Sequence, residues 1–175
     1  MSDRQRIGVL GGTFDPIHRA HLAIAEAARC QAGLDRVLFM VAATPPHKRG
    51  EVHAPARDRL DLTRAAVADI PGFEACDLEL RRPGPSYTVD TLRELRILYP
   101  QSELFLIMGY DAALDLPHWR NPHTILNLAR LLILPRPSES HPPLHPDIVD
   151  REQMLAFNPM DLSSSEIRNT LKRGE

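Results

Sequence analysis

The stretch Gly11-Gly12-Thr13-Phe14-Asp15-Pro16-Ile17-His18-Arg19-Ala20-His21-Leu22 constrains this chain more than any other. An apolar run, Ile7 to Leu10, precedes it and predicts a buried strand; an alanine-rich pattern follows it and predicts a helix. The paired glycines permit a tight turn with close backbone approach. Asp15 is a favourable N-cap and Pro16 suits the first helical position, so the helix is expected to run from Pro16 to Arg29, with Gly33 as its stop. His18 and His21 stand three apart and would share one face of its first turns. Backbone N–H groups, a helix N-terminus and two imidazoles thus converge on one spot, which suits phosphate groups.

The rest of the chain repeats this alternation. Val37 to Val41 predicts a second buried strand, and two strands around a helix make the βαβ unit of a parallel sheet. Ala56 to Asp69 is expected to be helical, with Leu60, Leu62, Ala65, Ala66 and Val67 as its core stripe. A short strand is expected from Ala75 to Leu80, a helix from Val89 to Leu98 and a fully apolar strand from Leu104 to Met108. Asn121-Pro122 repeats the cap-then-proline signal before a helix to Ala129, and Leu131 to Leu134 is a further strand. Pro135 to Asp147, rich in proline, histidine and serine, predicts an exposed loop, taken to extend over 135–160. Ser163-Ser164-Ser165-Glu166 fits a capping box that opens a last helix over 163–173. The expected fold is one α/β domain spanning 1–175, a doubly wound, mostly parallel sheet with helices on both faces. Ligands of such folds bind beyond the carboxyl ends of the strands, where the polar clusters of this chain fall.

With 175 residues, the chain is long enough to bury a proper core. Its net charge of -2 gives no bulk attraction to nucleic acid or acidic membranes. No apolar run is long enough to span a bilayer and no signal peptide is evident, so the expected setting is the cytoplasm. Cys30 and Cys76 form no spacing motif and are expected to be buried thiols in a reducing compartment.

Beyond the first cluster, Thr44-Pro45-Pro46-His47-Lys48-Arg49 is a stiff turn from which Lys48 and its neighbours could meet an anion. Thr88 or Asp90 either caps the helix that Tyr87-Thr88-Val89-Asp90-Thr91 begins, or leaves its amides to a small ligand's carboxylate or amide. Gly109-Tyr110-Asp111 would place a carboxylate where ribose hydroxyls can donate to it. Trp119 is either a packing anchor or a stacking face for an aromatic base. Ser163 to Ser165 and Arg168 can all donate to phosphate oxygens. No nucleophile elbow occurs, and the two histidines lack a third ligand for zinc, so no metal site is expected. The simplest chemistry is direct transfer: an incoming phosphate attacks a nucleotide α-phosphate in line and pyrophosphate leaves, with Mg²⁺ travelling on the triphosphate.

The run Gly-Gly-Thr-Phe-Asp-Pro-Ile-His-Arg-Ala-His-Leu resembles the signature of the adenylyltransferase branch of the nucleotidyltransferase α/β superfamily, whose fold is Rossmann-like. Within that branch the chain is similar to the bacterial nicotinate-nucleotide adenylyltransferases. The likeness continues through Pro45-Pro46-His47-Lys48, Tyr87 to Leu92, Gly109-Tyr110-Asp111, Trp119 and Ser163 to Arg168. It implies ATP and nicotinate mononucleotide as partners, and nicotinate adenine dinucleotide and pyrophosphate as products, in NAD biosynthesis. It implies ATP contacts from Gly11, Gly12, Thr13, Phe14, His18, His21, Ser164, Ser165 and Arg168, with His18, His21 and Arg168 as the catalytic group. It assigns His47 and Lys48 to the mononucleotide and its phosphate, Thr88, Tyr110 and Trp119 to the neighbourhood of the nicotinate ring, and Asp111 to a nucleotide sugar. One departure is Ala20, where the family usually carries glycine. Two alternatives stay open: an adenylyltransferase for another phosphorylated acceptor such as phosphopantetheine, and a catalytically weak nucleotide-binding regulatory protein. A homo-oligomer is compatible with either reading.

Overall fold

A computed structural model of the protein describes residues 4–43, 54–135 and 142–155. Strands and helices alternate along it: β1 (Arg6–Gly12), α1 (Arg19–Ala32), β2 (Arg36–Val41), α2 (Ala56–Val67), β3 (Phe73–Cys76), α3 (Thr88–Leu98), β4 (Glu103–Gly109), α4 (Tyr110–Asp115), α5 (Pro122–Leu128), β5 (Arg130–Leu134), α6 (Pro146–Val149) and β6 (Glu152–Met154). The six strands form one sheet in the order β3-β2-β1-β4-β5-β6, and every neighbouring pair is parallel. The chain winds outward from β1 in one direction, returns, and winds outward in the other. β1 and β4 therefore flank a switch point, and the loops leaving their carboxyl ends diverge to open a crevice.

Strand periodicity divides the core between the two faces. Ile7, Val9, Leu38, Met40, Leu104, Leu106, Leu131 and Ile133 point to the face covered by Val89, Leu92 and Leu95 of α3 and Ile125 of α5. Leu10, Val37, Phe39, Phe105, Ile107 and Leu132 point to the face covered by α1 and α2. α1 meets the sheet through Ala25, Ala28 and Ala32, side chains small enough to let the helix sit close. Gly8 belongs to the same close approach, because a Cβ there would lie 2.6 Å from Leu34 Cδ1 and 3.1 Å from Ile107 Cδ1.

Five expectations need correction. α1 starts at Arg19 rather than Pro16, because His18 occupies the N-cap position and Asp15 is turned into the interior. β3 ends at Cys76; residues 77–80 turn instead, with the Leu80 amide donating to the Asp77 carbonyl. The predicted loop after β5 contains α6, whose start is capped by His145 Nδ1, and β6, which pairs with β5. Glu152-Gln153-Met154 carries no apolar run to announce a strand, since it occupies a sheet edge and is largely exposed. Cys30 is exposed on α1, not buried, and Cys76 is half-buried; both are free thiols. Leu62 and Ala65 also leave the α2 stripe for solvent. The last predicted helix, 163–173, lies outside the described residues. No helix among the described residues is long and apolar enough to cross a membrane.

Gly8→Ala is expected to lower stability by about 1–3 kcal/mol, because the new methyl must displace Leu34 and Ile107 in a packed core. Urea unfolding of the variant beside the parent protein measures the loss.

Candidate active site

The turn between β1 and α1 is held by unusual means. Phe14 adopts φ of 47°, a left-handed conformation uncommon for a residue with a side chain. Burial holds it there: its ring is 2% exposed, packs edge-on against His21 with centroids 5.0 Å apart, and lies 5.8 Å from Phe39. The Phe14 side chain is therefore an anchor, and its backbone is the part that can face a ligand.

His18 and His21 cap α1 reciprocally. The Ala20 amide donates to His18 Nδ1 at 3.2 Å, and the His18 amide donates to His21 Nδ1 at 3.1 Å. The rings stack with centroids 4.0 Å apart. Accepting at Nδ1 fixes the neutral tautomer of each ring, with the proton on Nε2. The two imidazoles thus carry Nε2–H groups at the positive end of a fourteen-residue helix, a donor type matched to anionic oxygens, with the Nε2 atom of His18 itself buried. Ala20 is buried within this first turn.

At the carboxyl ends of the two central strands, Gly11 and Gly109 leave room. A methyl group on either would meet no described atom within 4 Å, so neither glycine is demanded by packing against the described residues. Asp111, exposed in the first turn of α4, stands just beyond Gly109. Tyr110 does not join it. Its ring is buried against the α3 side of the core, and its hydroxyl donates to the Pro142 carbonyl at 2.6 Å.

Thr88 and Trp119 do come together, in a cavity of about 370 Å³ also lined by Ser86, Tyr87, His118, Arg120 and Ile125. α3 follows β3, so its N-terminus lies on the carboxyl side of the sheet, as the crevice does. Tyr87, not Thr88 or Asp90, is the N-cap of α3, and no described side chain caps the helix there. Trp119 donates from its indole nitrogen to Asp115 Oδ2 at 3.1 Å, which fixes the ring in the cavity wall. Asn121 likewise holds the N-cap position of α5 without a side-chain hydrogen bond. A larger cavity, about 430 Å³, opens at the opposite, amino ends of β4 and β5, among Arg96, Glu103, Arg130 and Arg151. It lies on the wrong side of the sheet for the ligands of such folds. His47, Lys48, Ser164, Ser165 and Arg168 lie outside the described residues.

Sequence reading missed two supports. Arg59, only 1% exposed, donates from Nη1 to the carbonyls of Thr13 at 2.8 Å and Ala42 at 2.7 Å, and from Nε to that of Ala54 at 3.0 Å. It ties the signature turn to the end of β2 and to the approach of α2, while the Ala54 amide donates to the buried Asp15 carboxylate. Burial pushes its pKa down and the charge of Asp15 pushes it back up. The available signal was its spacing: Arg59, Thr63 and Val67 recur every four residues on the buried stripe of α2. The second support is Glu79, whose carboxylate accepts from the Thr91 hydroxyl at 2.6 Å beneath the start of α3. Arg82 reaches the same hydroxyl at 2.9 Å and pairs with Glu94 at 2.7 Å. Burial raises the Glu79 pKa above the ordinary carboxylate value, opposed by the Thr91 hydrogen bond and the Arg82 charge.

Known proteins resemble the chain over nearly its whole length. A family model described as cytidylyltransferase-like matches residues 9–170. A probable nicotinate-nucleotide adenylyltransferase of Thermus thermophilus is 47% identical over 173 residues, covering 97% of this chain and 88% of the relative. One from Desulfitobacterium hafniense is 39% identical over 178 residues, covering 98% and 86%. Among solved structures, Plasmodium falciparum nicotinic acid mononucleotide adenylyltransferase complexed with NaAD aligns with a TM-score of 0.78, covering 96% of this chain and 84% of that one. At 18% identity, this last likeness bears on the fold alone.

Arg59→Met is expected to cost about 3–5 kcal/mol, since the buried carbonyls it serves and Asp15 lose their compensating charge. Arg59→Lys should recover only part of that, because one ammonium cannot span three segments. Chemical denaturation measures both. For Glu79, the raised folded-state pKa means its contribution is intact below the ordinary carboxylate value and declines as pH climbs through the raised one. Glu79→Gln should therefore gain stability relative to the parent between pH 4 and pH 7; a gap that stays constant across unfolding curves in that range would contradict the assignment.

Proposed function

Because the chain belongs to the cytidylyltransferase-like family and, within it, to the nicotinate-nucleotide adenylyltransferases, we propose that it transfers the adenylyl group of ATP to nicotinate mononucleotide. The products are nicotinate adenine dinucleotide and pyrophosphate, the reaction sits in NAD biosynthesis, and its expected setting is the cytoplasm. The observation that carries this reading is the pair of Nε2–H imidazoles at the start of α1, beside the glycine-lined crevice between β1 and β4.

An oxygen of the mononucleotide phosphate attacks the α-phosphorus of ATP, and the bond from that phosphorus to the oxygen bridging to the β-phosphate breaks in line. Negative charge grows on the α-phosphate oxygens and on the departing pyrophosphate. His18 and His21 donate to those oxygens without giving up their own bonds to the helix, so nothing has to reorganise as the charge develops. The amides of Gly11 to Phe14 line the turn below. Ser164, Ser165 and Arg168 are assigned to the β- and γ-phosphates, and His47 and Lys48 to the phosphate of the mononucleotide. Thr88 and Trp119 take the nicotinate ring in the cavity at the start of α3, and Asp111 accepts from a sugar hydroxyl. Tyr110 is best read as the prop beneath that region, tied to Pro142.

The donor set around the signature is made of N–H groups, which suit phosphate oxygens and not a cation. Mg²⁺ accordingly arrives as part of the substrate, coordinated by the triphosphate, whose charge it partly neutralises. The adenylyltransferase names of the relatives and the aromatic cavity favour nicotinate mononucleotide over phosphopantetheine as acceptor.

His21→Gln separates support from chemistry. Glutamine at the third helical position is the usual reciprocal partner in a capping box, so the fold should be retained. The imidazole Nε2–H is replaced by a carboxamide NH₂ held away from its position while Oε1 caps the helix, and turnover, measured as pyrophosphate release from ATP and nicotinate mononucleotide, should fall about 100-fold or more. Near-parental turnover would remove His21 from the catalytic group.

A further inference from the structure

We propose that Arg120 makes the Trp119 cavity selective for a carboxylate over a carboxamide, an inference that rests on the nucleotidyl-transfer reading above. Nicotinate and nicotinamide differ only in that substituent. The two rings have nearly the same shape and would stack on an indole alike, so discrimination falls to the charge and the donors around the substituent, and Arg120 brings a charge to this cavity. Arg120 lines it, with its guanidinium carbon 4.6 Å from the centroid of the Tyr87 ring. That cation–π contact holds an otherwise exposed side chain against the mouth of the cavity instead of letting it sweep solvent.

The charge is available to a ligand. Among the described residues, no carboxylate lies within ion-pair distance of Arg120, while the acidic groups nearby are engaged elsewhere. Asp115 accepts from Trp119 and lies 3.7 Å from His118. Asp90, in the first turn of α3, lies 3.4 Å from Arg93. The start of α3 adds its uncapped amides and positive dipole end from the other wall. A carboxylate in this cavity therefore meets a planar fork of donors on one side and backbone N–H groups on the other. A carboxamide would turn its NH₂ toward one of them and leave donor facing donor.

Trp119 is the sole tryptophan of the chain, so its fluorescence reports occupancy of this cavity without reference to turnover. Titration with nicotinate mononucleotide and with nicotinamide mononucleotide gives an affinity ratio, acid over amide, for the parent protein, Arg120→Gln and Arg120→Lys. The expected result is a ratio about 10-fold or more lower in Arg120→Gln, with Arg120→Lys intermediate, since it keeps the charge and loses the fork. Rising ionic strength should erode the ratio in the parent and not in the glutamine variant. An acid-selective parent whose ratio survives unchanged in Arg120→Gln would overturn the role of Arg120 and leave the proposed function standing. A parent with neither quenching nor pyrophosphate release for either mononucleotide would overturn the function, and the inference with it.

Discussion

Two amides at the start of α1, which a helix must leave without intrahelical partners, are satisfied by imidazole nitrogens three residues apart. That exchange sets where the helix begins, stacks the rings and assigns the proton of each neutral imidazole to its outer nitrogen. A serine or aspartate cap would start the helix equally well but would put an acceptor where these rings put a donor. Structural need and chemical capacity are thus met by the same atoms. The proposed site can be rigid because it is part of the helix start and not something attached to it.

The buried charges around the crevice extend the same economy. Arg59 has no helix-stabilising reason to be inside, yet its guanidinium gathers carbonyls from three loops that the hydrophobic core cannot order, because each ends in polar backbone. Glu79 and Thr91 do the corresponding task below the start of α3. Parallel sheets leave many such loop ends at their carboxyl edge, and this protein braces them with polar side chains while apolar side chains pack both faces of the sheet.

Much of this was legible in the residues. The apolar runs Ile7 to Leu10, Val37 to Val41, Leu104 to Met108 and Leu131 to Leu134 are strands because both faces of the sheet are covered, which makes their pattern continuous. Gly33 ends α1 in the left-handed conformation expected of it. Sequence is hardest to read where a side chain acts at a distance. Asp15 looks like a cap by local sequence but is drawn inward by the Ala54 amide, and His18 takes its place. Tyr110 looks like a site residue by position, yet a hydroxyl bond to Pro142, thirty-two residues away, fixes it in the core. Spacing puts Arg59 on the buried stripe of α2, but no linear pattern reveals the carbonyl cluster it serves or the tyrosine face beneath Arg120. Short edge strands such as β6 are silent for the opposite reason: with one side open, they need no apolar signature.

That silence has a consequence for how the molecule behaves in company. Among the described residues both outermost strands are brief, four residues in β3 and three in β6, and β6 carries Glu152 and Gln153. A neighbouring chain seeking to extend the sheet would find only a few amides and carbonyls to join at either margin. The interior strands are long and greasy enough to form a ribbon without end; the truncated, polar margins confine that tendency to a single molecule.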